Sequence, residues 1–244
     1  MIDLHCHLLP GIDDGARDLD ETLRLIRQAQ AQGILRIVTT PHWMPGRFDN
    51  DASKVLTELA ALQQALKEHN IELPIRAAQE VRISDALLDA LPQQRLLFLG
   101  QYRDQNVLLL EFPHSHLTPG YEVLIRWLLK QGILPMIAHP ERNRELLEHP
   151  GRIKVLQQFG CLFQLTASSL LGDMGRDSQL LAERYLQDGI FDIIATDTHS
   201  LKRRPPRLAE ARERAAELLG SAHAQQLVFD TPQHISDALF RDAS

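Results

Sequence analysis

The sequence predicts an α/β fold, a parallel sheet closed into a distorted (β/α)7, TIM-like barrel. About seven short apolar runs alternate with longer segments of helical periodicity, the pattern of repeated β-α units. Polar residues of metal-binding type stand at the C-terminal ends of six of those runs, namely His7, His42, Glu80, Glu111, His139 and Asp197. The chain has 244 residues and is 44% hydrophobic, enough for one large core, so a single domain over 1–244 is expected. Strand alternation alone fits an open sheet equally well. In an open sheet, however, the outermost ligands would stand several strand spacings of roughly 4.8 Å apart. In a barrel all the strand ends converge on one face, where barrel enzymes place their sites.

The elements follow in chain order. Met1 to His5 reads as the first strand. Residues 19–32 carry Leu23, Leu25, Ile26 and Ala29 at helical spacing, and Gly33 supplies a stop. Residues 34–40 (ILRIVTT) are the second strand, and 52–69 a helix with Val55, Leu56, Leu59, Leu62 and Leu66 on one face. Residues 73–81 are the third strand, 84–91 a short helix and 96–99 a short extended piece. Residues 107–112 (VLLLEF) have the continuous apolar character of a strand buried on both faces. A helix over 120–130 and a strand over 133–138 come next. Residues 144–159 are helical with a break at Pro150. A strand over 161–166, a helix over 178–188 and the last strand over 191–196 (FDIIAT) complete the repeat. Pro206 opens a helix to Leu219, and short helices divided by Pro232 follow.

Bulk properties exclude several function classes. Net charge is −6, and no basic cluster is large enough for nucleic acid or an anionic membrane surface. No apolar stretch approaches the ~20 residues that cross a bilayer, and the N-terminus lacks signal-peptide character. A cytoplasmic location without membrane insertion is the expectation. Two cysteines, Cys6 and Cys161, form no disulfide framework. Neither begins a Cys-x5-Arg loop, since Ile12 and Ala167 stand at the required arginine positions. No Gly-x-Ser-x-Gly elbow and no phosphate loop with lysine is present.

Each candidate has a bland reading when taken singly. His5 and His7 lie two apart, so on a strand they face the same way while Cys6 faces the other. Alone, that pair is as compatible with a turn as with a metal. Asp13-Asp14-Gly15 alone reads as a turn, His42 as a loop cap, and Glu80 as a partner for Arg76 or Arg82. Glu111 ends a wholly apolar run, so burial beside a cation is expected. Their recurrence at the same end of successive strands favours a multinuclear metallohydrolase. Mixed imidazole and carboxylate donors suit zinc, manganese or iron. His69, His149, His223 and His234 follow no strand and read as surface residues. His114 and His116 read as loop histidines near the site.

Together, His5-Cys6-His7, Asp14, Thr40-Pro41-His42, Gln79-Glu80-Val81-Arg82, Glu111-Phe112-Pro113, Ala138-His139-Pro140-Glu141-Arg142 and Asp197-Thr198-His199-Ser200 resemble the polymerase-and-histidinol-phosphatase (PHP) superfamily. Residues 9–15 (LPGIDDG), 138–143 (AHPERN) and Arg204-Pro205-Pro206 are similar to one branch, the bacterial capsule and exopolysaccharide protein-tyrosine phosphatases of CpsB type. The resemblance covers Met1 to about Leu219. It implies a distorted seven-unit barrel with two to three divalent ions, manganese first and iron or zinc as alternatives. It assigns His5, His7, Glu80 and Asp197 to one ion. Glu80 bridges to a second ion with Glu111 and His139, and Asp14, His42 and His199 hold a third. Many superfamily members have histidine at the positions of Glu111 and Asp14.

The implied reaction is hydrolysis of phosphotyrosine by a hydroxide bridging two cations. Arg142 and Arg204 bind the phosphoryl oxygens, and Asp197 or His199 relays a proton through water. The implied partner is the C-terminal tail of a bacterial tyrosine autokinase of capsule or exopolysaccharide synthesis. Trp43 and Arg47 are candidates to meet the phenol ring. The alternative substrate is a small phosphomonoester such as histidinol phosphate. A nuclease is disfavoured by the acidic balance, and a non-catalytic metal module by the intact ligand set.

Overall fold

The computed structural model describes residues 1–241. Its strands are β1 (Ile2–Asp3), β2 (Arg36–Thr39), β3 (His42–Trp43), β4 (Ile75–Ala77), β5 (Glu80–Arg82), β6 (Gln101–Tyr102), β7 (Gln105–Glu111), β8 (Ile133–Ala138), β9 (Leu162–Thr166) and β10 (Ile193–Ala195). The predicted second strand carries on past Pro41, so β2 and β3 are two stretches of one strand. In the same way β4 and β5 continue one another across Ala78-Gln79. β1 pairs with β2 and β2 with β4; β3 pairs with β5, and β5, β7, β8, β9 and β10 follow side by side, all parallel.

The ends of this order meet. Asp197 N donates to His5 O at 2.7 Å and His7 N to Thr198 O at 2.8 Å. A parallel bridge joins Cys6 to Thr198. Buried Asp3 adds a brace, accepting from Thr196 N at 2.9 Å. These bonds close the seven strands into a ring, as expected. The closing seam is irregular, because β1 loses regular pairing after Asp3.

Two apolar clusters flank the ring. The inner one takes Ile2, Leu4, Val38, Ala78, Leu109, Met136, Leu162 and Ile193 from all seven strands. The outer one lies between the strands and the helices α1 (Leu19–Ala31), α2 (Ala52–Glu68), α3 (Leu87–Ala90), α4 (Tyr121–Lys130), α5 (Arg144–Glu148), α6 (Ile153–Gln158), α7 (Ala167–Leu170), α8 (Arg176–Gln187) and α9 (Leu208–Leu219). Helix α1 shows why these segments form where they do. Asp18 caps its first turn by accepting from Glu21 N at 2.8 Å. Leu25 and Ile26 are fully buried, which stabilises by roughly 2–3 kcal/mol each. Gly33, at φ +79°, ends the segment in a left-handed turn.

The N-terminal end of the barrel is covered by the chain after α9: α10 (Ser221–Gln225), a wide turn over Gln226–Asp230 and α11 (Thr231–Phe240). Ile235 and Leu99 join the inner cluster there. Gly100 is required, since a Cβ would stand 2.0 Å from the Ile235 carbonyl oxygen. Pro232 lies in the first turn of α11 and does not divide two helices. The extended piece expected at 96–99 is not a strand. The hairpin forms just beyond it, where β6 pairs antiparallel with β7. Pro150 does break its helix, between α5 and α6. No helix among the described residues is long and apolar enough to cross a membrane.

Candidate metal centre

The carboxyl ends of the strands open into a cavity of about 250 Å³, lined by Asp14, His42, Glu80, Glu111, His139, Asp197 and His199 together with Arg142 and Arg204. His5 and His7 are fully buried beneath it. All nine residues read from the sequence as metal ligands, and both arginines, therefore come together.

Glu80 lies at the centre. Its Oε1 is 2.8 Å from His139 Nε2. Its Oε2 is 3.4 Å from both His5 Nε2 and His7 Nε2 and 2.9 Å from His42 Nδ1. Asp197 Oδ1 lies 3.4 Å from His5 Nε2 and 3.5 Å from His7 Nε2. Asp14 Oδ1 is 3.2 Å from His42 Nε2 and 3.4 Å from His199 Nε2. Four overlapping groups have donor atoms within 4.8 Å of one another: His7, Asp14, His42 and His199; His5, His7 and Glu80; His5, His139 and Asp197; and His42, Glu80 and Glu111.

The rings are held so that lone pairs face inward. His5 Nδ1 meets Gln164 Oε1 at 2.9 Å, His7 Nδ1 meets Asp13 Oδ2 at 2.7 Å, and His199 Nδ1 meets the Asp197 carbonyl at 2.8 Å. These partners are acceptors, so each Nδ1 carries the proton and each Nε2 is left to ligate. His42 Nδ1, Glu80 Oε2 and His199 Nε2 are buried without a hydrogen-bond partner. Buried polar atoms normally find one, and divalent cations in the cluster would supply partners. The donor set fits a metal centre of mixed nitrogen and oxygen ligands.

The backbone pays for this placement. His139 (φ 33°) and Asp197 (φ 52°) adopt left-handed conformations at their strand ends, each costing of order 1–3 kcal/mol. Gly15 lets the loop after β1 press on His7, where a Cβ would stand 2.4 Å from the His7 carbonyl oxygen.

Electrostatics sort the cluster. Burial, then the nearby Arg142, pulls His139 down to about 3; burial and His7 pull His199 down to about 4. Burial opposes charge on His42 too, but the Glu80 carboxylate outweighs it and holds the imidazole at about 10. Burial and Glu80 push Glu111 up to about 7. Arg82 answers the burial of Glu111, with Nη2 at 2.8 Å from Oε2. The cation expected beside Glu111 is thus Arg82, which therefore does not pair with Glu80.

Two readings change. Trp43 is fully buried and bonds Asp51 through its indole N–H at 3.0 Å, so it cannot reach a ligand. Phe48 takes the rim position instead, stacked 11° from the His42 ring plane at 5.5 Å, with the Arg47 guanidinium 4.9 Å from its centroid. His114 lines the cavity, its ring 5.9 Å from His139, whereas His116 is tied to Ser115. Sequence reasoning did not find Asp13 and Gln164 as partners of the histidines. Asp13 stands in the Asp13-Asp14 pair, and Gln164 lies with Ser169 in a segment that resembles the tyrosine phosphatase branch, but neither pattern gives the partner role.

Fold and cluster together define a class, a parallel α/β barrel with a histidine and carboxylate site for divalent cations at the carboxyl ends of its strands. The phosphotriesterase homology protein of Escherichia coli shares this fold, with a TM-score of 0.59 at 10% identity over 96% of this chain and 98% of that one. The family model of capsular polysaccharide synthesis, CpsB/CapC, matches residues 1–237, and the chain belongs to that family. It is 36% identical over 204 residues to tyrosine-protein phosphatase YwqE of Bacillus subtilis, covering 84% of this chain and 79% of that protein. It is 28% identical over 240 residues to tyrosine-protein phosphatase CpsB of Streptococcus agalactiae, covering 96% and 98%. A crystal structure from work on YwqE of B. subtilis and CpsB of Streptococcus pneumoniae, unique metal-dependent tyrosine phosphatases, superimposes with a TM-score of 0.90 at 32% identity, covering 98% and 95%.

Proposed function

We propose that this chain is a metal-dependent protein-tyrosine phosphatase built as one domain. The observation that carries this reading is the convergence of nine ligand-type side chains on one cavity whose lining includes Arg142 and Arg204. His5, His7, Glu80 and Asp197 would hold one ion. Glu80, Glu111 and His139 would hold a second, and Asp14, His42 and His199 a third. Glu80 suits the bridging role because its two oxygens face different histidines. Bound divalent ions supply positive charge and a water of lowered pKa. We assign manganese first, with iron or zinc as alternatives.

The chain's own groups do the rest. Arg142 and Arg204 present planar forks in the cavity lining and neutralise phosphoryl charge. Asp197 or His199 would relay a proton through water to the leaving tyrosinate. Both cysteine thiols are buried, and burial pushes Cys161 up to about 12 and Cys6 well above its ordinary range, which fits a reaction without a cysteine nucleophile. The proposed substrate is a phosphotyrosine tail of a tyrosine autokinase in the cytoplasm. A substrate panel with metal content measured on the same sample tests this. Phosphotyrosine peptides should be hydrolysed far faster than histidinol phosphate, in proportion to bound metal. Faster turnover of histidinol phosphate would overturn the substrate assignment.

A further inference from the structure

Two oxygens outside the ligand cluster share one bonding pattern. Gln164 Oε1 accepts from His5 Nδ1 at 2.9 Å and from the backbone N–H of His139 at 3.2 Å. Asp13 Oδ2 accepts from His7 Nδ1 at 2.7 Å and from the backbone N–H of His42 at 3.0 Å. Each oxygen thus ties the ring of one histidine to the main chain of another on a different strand. A backbone N–H only donates, so the Gln164 atom it meets is the oxygen. The ring nitrogen facing that oxygen must then carry the proton.

From this we infer that Asp13 and Gln164 are paired positioning residues, each locking one histidine ring and fixing where a second histidine stands. The inference rests on the metal-centre reading above. Gln164 has the harder task. His139 is the histidine with left-handed backbone, and its N–H bond to Gln164 holds that conformation in place. The two braces differ in charge. Asp13 offers a carboxylate and makes His7 the more basic donor, while the neutral amide of Gln164 leaves His5 the weaker one. His7 is therefore the stronger of the two donors to the ion they would share.

The test compares Gln164→Met, Gln164→Glu and Asp13→Ala in the full-length protein. Manganese affinity is measured by competition with a chelator, and fold by circular dichroism. Zinc-loaded, 15N-histidine-labelled samples report the imidazole N–H signals. Gln164→Met should bind manganese about 10–100-fold more weakly, the range seen when such outer partners are removed, and should lose the His5 Nδ1–H signal. Gln164→Glu keeps both acceptor bonds, so it should keep that signal and bind within a few-fold of wild type. Asp13→Ala should lose the His7 signal. If Gln164→Met is folded with wild-type affinity and an unchanged His5 signal, the inference fails. If Gln164→Met does not fold, Gln164→Glu decides: loss of the His5 signal there also overturns it. Wild-type protein that binds no metal would instead sink the metal-centre reading itself.

Discussion

Arg204 Nη1 lies 2.9 Å from Oδ2 of Asp197. Arg142 donates to the same oxygen, while Oδ1 turns to His5 and His7. The aspartate is therefore shared between the buried histidines and two guanidiniums that line the cavity. Arg142→Ala and Arg204→Ala should each lower kcat/KM for phosphotyrosine peptides about 10²–10³-fold, about 3–4 kcal/mol of transition-state stabilisation. Arg142→Lys should recover little, because a point charge does not replace a planar fork. Steady-state kinetics with metal content checked would refute this if either alanine variant stayed within threefold of wild type.

His139 and Asp197 sit on the ligand cluster, and Cys6 faces the outer core. His139→Ala, Asp197→Ala and chelation should each remove phosphatase activity, and Cys6→Ser should retain it. Metal should also protect the fold: at 100 times its Kd a ligand adds about 2.7 kcal/mol of stability. Thermal melts with and without chelator measure this, and identical melting temperatures would contradict a bound metal.

The strand ends were readable because six of the nine ligands close apolar runs, and that pattern needs only periodicity. Closure of the ring was inferred from convergence, and the bonds from Asp197 to His5 and from His7 to Thr198 supply it. Trp43 was misjudged because one residue of register on a strand exchanges outside for inside, and β3 sends His42 to the cavity and Trp43 to the core. Phe48 was missed because it lies on a loop, where no period says which way a ring points. The bond from His5 to Gln164 is not legible in the sequence, because a side-chain bond across 159 residues leaves no local trace.

Metal binding should release protons. In the metal-free protein the carboxylates hold His42 at about 10 and keep His5 and His7 raised despite burial, while Glu111 stands at about 7. His42 therefore carries a proton at pH 7, and Glu111 carries one in part, that ligation must displace. Apparent affinity should rise with pH, about tenfold per pH unit for each proton released. Titration calorimetry in two buffers of different ionisation heat gives the proton count, and a count of zero would contradict this account.

Phe48, stacked on His42 at the rim, offers the cavity an aromatic face. Offset aromatic pairs are worth about 0.5–1.5 kcal/mol. Phe48→Ala should raise KM for phosphotyrosine up to about tenfold and leave KM for a small alkyl phosphate nearly unchanged. Equal effects on both substrates would show that the ring only supports His42.

Asp192 provides a stability test away from the metal cluster. Its Oδ2 accepts from Phe163 N at 2.8 Å, tying the start of the last strand to β9. Burial pushes its carboxyl from 3.8 up to about 6, against the opposing pull of that bond. The folded protein therefore holds a proton that the unfolded chain releases between about pH 4 and pH 6. With more protons bound in the native state, this group's contribution to stability falls as pH rises through that window and is flat above it. Partial exposure limits the effect to about 1–2 kcal/mol. Asp192→Asn keeps an oxygen for Phe163 N and removes the titration. Relative to wild type, the variant should gain stability steadily from pH 4 to pH 6 and no further above pH 7, as read from urea unfolding of chelated samples. A difference that is constant across the whole range would show that the carboxyl ionises alike in both states.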